Sequence, residues 1–151
     1  MINNHKELVW CAARLLSRWR CSPVLTELVT CNQTGEVPDA IGWTSWCSIL
    51  MECKVSRRDF LKDKQKVFRC QMPDQGMGNW RFYFVTSNVA VSPEDMLPGW
   101  GAYRITKAGR IEHVCGVKFS SNAIPPFQSV NTRAELQMLR SKCRRLYAAL
   151  R

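Results

Sequence analysis

An apolar run of strand length at residues 47–55, CSILMECKV, carries two opposite charges, Glu52 and Lys54. Side chains alternate between the two faces of a strand, so Glu52 and Lys54 share one face with Leu50, and the residues between them point to the other. A carboxylate buried in this way is costly unless a cation or hydrogen-bond donors compensate it. The run therefore predicts either an ion pair between Glu52 and Lys54 or a carboxylate that binds a metal.

The flanking segments predict helices and strands within one domain, residues 1–151, because a chain of this length can bury one core. Apolar residues three to four apart between Leu8 and Trp19 predict a first helix that ends at Ser22-Pro23. Strands are predicted at residues 24–31, 37–43 and 47–55, with a turn at residues 32–36.

The second half of the chain predicts two more helices and further strands. Ser56 begins a basic helix that extends to about Cys70, with Asp59 completing a capping box. Residues 80–87, WRFYFVTS, are aromatic and predict a central strand, and residues 98–114 predict a hairpin that turns at residues 107–109. Thr132 and Glu135 predict a capping box for a last helix, whose predicted buried stripe is Leu136, Leu139, Cys143, Leu146 and Leu150. The predicted class is α/β, in the order α-β-β-β-α-β with an added hairpin and C-terminal helix.

Cysteine usage and hydropathy indicate the compartment. The eight cysteines include no Cys-x-x-Cys pair, which is typical of free thiols in a reducing cytosol and not of a zinc site or a disulfide framework. No apolar run approaches membrane-spanning length, and Arg14, Arg18 and Arg20 interrupt the first twenty residues. We expect a cytoplasmic protein without a membrane partner.

The net charge of +10 is unevenly distributed along the chain. Residues 21–53 contain no Lys or Arg, and their four acids are Glu27, Glu36, Asp39 and Glu52. A basic chain with one acidic window has the charge layout of a protein that attracts a polyanion and reserves one place for a cation. The alternative is that the basic surface only aids solubility.

A longer pattern surrounds the charged strand. Pro38-Asp39 is followed thirteen positions later by Glu52-Cys53-Lys54. This spacing resembles the PD-(D/E)XK signature of the nuclease superfamily that contains type II restriction enzymes. The segment MECKVSRRDFLKDKQK, with RFYFVTS and GRIEHV after it, resembles the bacterial MmcB-like DNA-repair endonucleases over roughly residues 24–114.

The resemblance implies a restriction-endonuclease-like core with a mixed sheet flanked by helices. It also implies a Mg²⁺- or Mn²⁺-dependent endonuclease that cleaves DNA in repair or in phage or mobile-element processing.

The resemblance also implies roles for individual residues. Asp39 and Glu52 would bind the metal together with the main-chain carbonyl of Cys53, and Lys54 would orient or help deprotonate the attacking water. The superfamily often adds an upstream glutamate, for which Glu7 and Glu27 compete. Glu7 could instead be a helix-capping acid after Asn4, and Glu27 would be buried if its strand face is the core.

Basic and aromatic residues near this site predict nucleic-acid contacts. Backbone phosphates are expected to meet Arg57, Arg58, Lys62, Lys64 and Lys66, although a solvated helix face is the alternative for the lysines. Trp43 and Trp46 could stack on an unpaired base, but packing in the core is the favoured interpretation.

Two further alternatives concern function and assembly. The rival to a nuclease is a catalytically inactive DNA- or RNA-binding module or adaptor that keeps the basic faces. The apolar stripe of the last helix is compatible with docking on the protein's own core or with a homodimer, and we expect self-association, as in many nucleases of this superfamily.

Overall fold

The structure, a computed structural model, describes residues 1–27 and 35–151 and is an α/β fold with one six-stranded mixed sheet. Its helices are α1 (His5–Arg18), α2 (Arg57–Asp63), α3 (Val67–Cys70) and α4 (Thr132–Ala149). Its strands are β1 (Val24–Thr26), β2 (Ala40–Trp43), β3 (Ser48–Lys54), β4 (Trp80–Thr86), β5 (Trp100–Ile105) and β6 (Ile111–Gly116). The described residues do not include the end of the first predicted strand, residues 28–31, or residues 32–34 of the predicted turn. Within the described ranges, no helix has the length and apolar character needed to cross a bilayer.

The strands lie in the sheet in chain order. β1, β2 and β3 form an antiparallel meander, β3, β4 and β5 run parallel, and β6 returns antiparallel to β5. Every residue of β4 is buried, which confirms the predicted central strand. The predicted hairpin is also confirmed, because Ile105 and Ile111 are paired on either side of the turn.

Each face of the sheet has its own core. On one face, α1 buries Leu8 and Leu16 against a cluster that contains Met51. On the other, Leu50 packs in a cluster with Phe60 of α2 and Met138 of α4. The predicted alternation along β3 is therefore confirmed, and Glu52 and Lys54 belong by alternation to the face covered by α2 and α4.

The predicted single helix over residues 57–70 is wrong. Ser56 does cap α2, since its Oγ accepts the Asp59 N–H at 3.2 Å. The helix then stops at Asp63, and α3 begins only at Val67. The interruption has a physical reason: the Asp63 carboxylate is buried among cations instead of facing solvent, as described below.

The predicted cap and buried stripe of the last helix are also wrong. Asn131 is the N-cap, with its Oδ1 accepting the Ala134 N–H at 3.0 Å. The residues that α4 buries are Ala134, Glu135 and Met138. Glu135 turns inward because its carboxylate accepts the Ser48 hydroxyl at 2.7 Å and the Gly78 N–H at 2.9 Å. This rotates most of the predicted stripe outward, with exposures of 63% at Leu136, 53% at Leu146 and 84% at Leu150. Self-association through that stripe stays a prediction.

Candidate metal centre

Asp39 lies directly before β2 and is tied to the end of β3. Its Oδ2 accepts the backbone N–H of Cys53 at 2.7 Å, so the carboxylate meets the strand between Glu52 and Lys54. Its backbone carbonyl accepts the Glu27 N–H at 3.1 Å, which brings the end of β1 to the same place. The backbone N–H of Cys53 therefore fixes the direction of the Asp39 side chain.

A histidine completes a group that we call the open cluster: His5, Glu27 and Asp39. His5 Nε2 lies 3.2 Å from Asp39 Oδ1, and His5 Nδ1 lies 3.2 Å from Glu27 Oε1. One ligand atom from each of the three residues lies within 4.8 Å of the others. A neutral imidazole has only one N–H, so it can donate to only one of these two carboxylates. The donor set of two carboxylates and one imidazole fits a divalent cation such as Mn²⁺.

The two candidates for the upstream glutamate occupy different environments. Glu27 reaches the open cluster, but its side chain is 49% exposed, so the expectation of a buried acid is wrong. Its backbone has φ of 44°, a left-handed conformation unusual for a residue other than glycine. Glu7 is exposed in the first turn of α1, where its N–H donates to Asn4 Oδ1 at 2.8 Å. Glu7 is not part of the open cluster.

Glu52 and Lys54 belong to a second group, the buried network: Glu36, Glu52, Lys54, Asp63 and Arg69. Arg69 is its centre, with Nη2 2.8 Å from Glu52 Oε1, Nε 3.1 Å from Asp63 Oδ2, and an ion pair to Glu36. Lys54 Nζ lies 3.4 Å from both Glu52 Oε2 and Asp63 Oδ1. The Tyr83 hydroxyl donates to Asp63 at 2.9 Å, and Lys66 Nζ approaches Asp63 from the rim at 2.7 Å.

Burial and charge act in opposite directions on these groups. Burial, offset only in part by Arg69, raises the pKa of Glu52 above its usual range. Burial also acts to raise the pKa of Asp63, but Arg69 and Lys54 outweigh it and hold that pKa well below its usual range. Burial acts to lower the pKa of Lys54, and the charges of Glu52 and Asp63 more than reverse this. Lys54 is therefore an ammonium ion at neutral pH.

The predicted metal ligand Glu52 has cations on both oxygens. Lys54 approaches Oε2 and Arg69 approaches Oε1 at 2.8 Å, and within residues 1–27 and 35–151 Oε1 accepts no hydrogen bond. A divalent cation placed there would meet two positive charges. Of the carboxylates that the sequence nominated, Asp39 and Glu27 therefore offer the better environment for a metal.

The basic residues predicted to meet phosphates divide into two groups. The Arg57 guanidinium is bound to Asp95 at 2.8 and 3.0 Å and donates to the Ala90 carbonyl at 2.7 Å, so it joins α2 to the segment before β5. Lys66 is bound to Asp63. Arg58 and Lys62 are exposed on α2 and remain available for a phosphate.

The two tryptophans of the acidic window also differ. Trp43 is partly buried and donates from Nε1 to Glu135 at 3.1 Å. Trp46 is 93% exposed, so the favoured interpretation of core packing is wrong for this residue.

Sequence reasoning did not identify His5, Asp63 or Arg69 as site residues. His5 reaches Asp39 only through the fold, and no local motif marks it. Asp63 and Arg69 lie six positions apart, which would place them on different sides of one continuous helix. The available signal was the Glu52–Lys54 pair itself, since a buried ion pair needs further hydrogen-bond partners for its remaining polar atoms.

Comparisons of this chain with protein-family models, curated proteins and solved structures find no match.

Proposed function

We propose that this protein is a metal-dependent nuclease that hydrolyses DNA phosphodiester bonds, with a restriction-endonuclease-like core of the PD-(D/E)XK type. The proposal is supported by the position of the open cluster, which lies against the strand end that carries Glu52, Cys53 and Lys54. The element order supports it too: a helix and an antiparallel meander precede α2 and α3, and β4 then pairs parallel with β3. The excess of cations suits a polyanionic substrate.

Each residue of the open cluster would have a distinct role. Asp39, Glu27 and His5 would hold Mg²⁺ or Mn²⁺, and Asp39 is already oriented by the Cys53 N–H. When bound, the metal supplies Lewis-acid activation of the scissile phosphate and a water of lowered pKa. The Lys54 ammonium, two residues beyond Glu52, is 12% exposed and would place a fixed positive charge near the phosphate. Glu52 would act by holding Lys54 in place.

A catalytically inactive DNA- or RNA-binding module is the second candidate. It is favoured by the pairing of Glu52 and Lys54 within the buried network, which leaves both side chains occupied. In that case the charged strand end would serve stability alone, and the basic surface would bind nucleic acid without chemistry.

Cleavage and metal binding by matched variants separate the two candidates. The parent protein should cut plasmid or single-stranded DNA with Mg²⁺ or Mn²⁺ and not with EDTA. Asp39→Asn should abolish cutting and weaken Mn²⁺ binding, measured by calorimetry, by at least about tenfold, because it removes a ligand charge. The control Asp74→Asn, at an exposed acid of the loop after α3, should change neither.

Glu52→Gln gives a sharper distinction. If Glu52 only holds Lys54, the variant should bind Mn²⁺ normally while cutting more slowly; if Glu52 is a ligand, metal affinity should fall as it does in Asp39→Asn. Unchanged cutting in Asp39→Asn would refute the nuclease site. Undiminished DNA binding without cleavage in any metal would favour the second candidate.

A further inference from the structure

The solvent-facing side of α1 carries a row of residues four positions apart: Lys6, Trp10, Arg14 and Arg18. Residues at this spacing lie above one another on one helix face. All four are exposed, and the opposite side of the helix is buried in the sheet core. The row starts beside His5 of the open cluster and extends for about 18 Å, since Lys6 and Arg18 are separated by twelve rises of about 1.5 Å.

Trp10 and Arg14 form the middle of this row. The Arg14 guanidinium lies 4.6 Å from the centre of the Trp10 ring, in a cation–π contact, while Trp10 stays 60% exposed. A planar cation stacked on an exposed ring presents both a charge for a phosphate and a flat apolar surface for a base. The one acidic residue of α1, Glu7, is confined to the first turn.

A cavity of about 350 Å³ lies beyond the C-terminal end of α1. Trp19 and Arg20 follow α1 and line the cavity, together with Trp80, Phe119 and Trp46. Trp19 and Phe119 stack at 4.5 Å with an angle of 20° between their rings. Among the described residues, no acidic side chain lines the cavity, and Arg20 supplies a positive charge. Its volume is at the small end of the range for ligand pockets, about 300 to 1,000 Å³.

Trp46 is displayed at the rim of this cavity by a fixed turn between β2 and β3. The Thr44 hydroxyl oxygen accepts the N–H groups of Trp46 at 3.2 Å and Cys47 at 3.1 Å, and the Thr44 N–H donates to the Cys47 carbonyl at 2.9 Å. The turn therefore fixes the backbone that presents the Trp46 indole, which is 93% exposed. With the backbone already ordered, binding a planar partner has to immobilise only this side chain.

We propose that the outer face of α1 and the Trp46 cavity form one binding track for an unpaired polynucleotide strand. Phosphates lie along Lys6, Arg14 and Arg18, and a base stacks on Trp46 at the end of the track. The inference rests on the proposed function in that the open cluster, at the other end of α1, would act on the same strand.

Charge and ring geometry favour this occupant over a peptide. A basic peptide would need an acid at the rim of the cavity, and Arg20 is the only charged lining residue in the described part of the chain. Successive bases stack on aromatic side chains without regard to sequence, and cations beside them follow the backbone. Duplex DNA would keep its bases stacked inside the helix and could use the cations but not Trp46.

The test is fluorescence anisotropy with a short labelled oligothymidylate, its oligouridylate counterpart and a duplex of equal length, all in EDTA so that no cleavage occurs. The parent should bind the single strands more tightly than the duplex. Trp46→Ala should weaken single-strand binding by about tenfold, and Trp46→Phe, which keeps a stacking ring, should remain within about twofold.

The cations are tested by the salt dependence of binding. Replacing both Arg14 and Arg18 by Gln should reduce the slope of log affinity against log salt by about 1.4, since each lost phosphate contact on a single strand contributes about 0.7. The control pair, Arg144→Gln with Arg145→Gln on exposed α4, removes the same charge away from the track.

Two results would overturn the track. One is a Trp46→Ala protein that binds the single strands as tightly as the parent, which would leave the cavity to a peptide or another ligand. The other is an equal change of salt slope in both arginine pairs, which would mean that the cations act only through net charge. Neither result depends on cleavage. A protein that never cuts DNA but shows the predicted variant effects would contradict the nuclease and support the track.

Discussion

The open cluster and the buried network meet at one peptide, the N–H of Cys53, yet they treat charge in opposite ways. The buried network sets its three carboxylates against Arg69 and Lys54, with Lys66 at the rim. The open cluster has two carboxylates and shares one imidazole between them. In the described part of the chain, side chains of the protein neutralise the buried network, whereas those around the open cluster do not neutralise its two carboxylates.

Solvent exposure explains the difference. The side chains of Asp63 and Arg69 are each 1% exposed, where an unmatched charge costs several kcal/mol, so the fold has to provide partners. Glu27 is 49% exposed and can remain hydrated without a full counter-charge. A carboxylate that water satisfies can exchange that water for a cation, whereas one paired to a buried arginine cannot. Binding chemistry is therefore expected in the open cluster and stability in the buried network.

The largest effect is expected at Arg69. Arg69→Met leaves Glu36, Glu52 and Asp63 without their shared cation and should lower the free energy of unfolding by about 3 to 5 kcal/mol, the usual cost of breaking a buried ion pair from one side. Urea unfolding followed by circular dichroism measures this. Arg58→Met, on exposed α2, is the control and should cost less than about 0.5 kcal/mol.

Arg69→Lys keeps the prediction testable if the methionine variant does not fold. Lysine retains the charge but lacks the planar group that meets three acids at once, so its stability should fall between parent and methionine variant. If Arg69→Met were as stable as Arg58→Met, the three carboxylates of the buried network would not depend on Arg69 as their counter-charge.

Local sequence patterns were sufficient to predict the main strands of the sheet and the placement of Glu52 and Lys54 on one strand face. Alternation along β3 placed Glu52 and Lys54 on one face, and composition identified β4 as the central strand, because both depend on local period and side-chain type. Asp39 was nominated from its spacing to Glu52. These are features in which neighbours along the chain determine the outcome.

The remaining features depend on contacts distant in the chain. A basic run with a good N-cap at Ser56 predicts one helix, and only the tertiary demand for Asp63 as an inward acid interrupts it. Glu135 likewise rotates α4 by binding Trp43 and Ser48, which local amphipathicity could not reveal. His5 enters the open cluster only because α1 packs beside the ends of β1 and β2.

The ion pair between Arg57 and Asp95 is intermediate in exposure between the open cluster and the buried network, and its contribution to stability depends on pH. Hydrogen bonds from Arg57 hold the pKa of the Asp95 carboxyl well below its usual range. A lowered pKa in the folded state stabilises the protein above the ordinary carboxyl pKa of about 3.9, and that stability is lost as pH falls below it. Asp95→Asn should therefore lower the free energy of unfolding at neutral pH. The loss should be smaller than in Arg69→Met, because the Arg57–Asp95 pair is more exposed than the buried network.

The dependence of the free energy of unfolding on pH below about pH 5 tests whether the Arg57–Asp95 ion pair stabilises the fold. The Asp95→Asn protein should lose less of its remaining stability than the parent between about pH 5 and pH 3, because the group that takes up the proton is absent. Asp74→Asn, at an exposed acid, should leave the acid limb unchanged. An Asp95→Asn profile parallel to the parent's would mean that Arg57 is not a structural residue, and its predicted role in phosphate binding would regain support.

The smallest effect on stability is expected at His5, and it tests the open half of the comparison most directly. His5 is 42% exposed at the start of α1, so His5→Gln should change the free energy of unfolding by no more than about 0.5 kcal/mol. Its effect on metal should be larger: Mn²⁺ affinity, measured by calorimetry, should fall by about tenfold, as for residues that ligate or support a ligand. Imidazole suits Mn²⁺ better than Mg²⁺, so the loss for Mg²⁺ should be smaller.

The other histidine of the chain, His113, contacts the carbonyls of Gly116 and Val117 at 3.2 Å on β6, and His113→Gln is the matched control for metal binding. Equal Mn²⁺ affinity in both variants would show that the imidazole does not ligate. A large loss of stability in His5→Gln would instead mean that the open cluster, like the buried network, serves the fold.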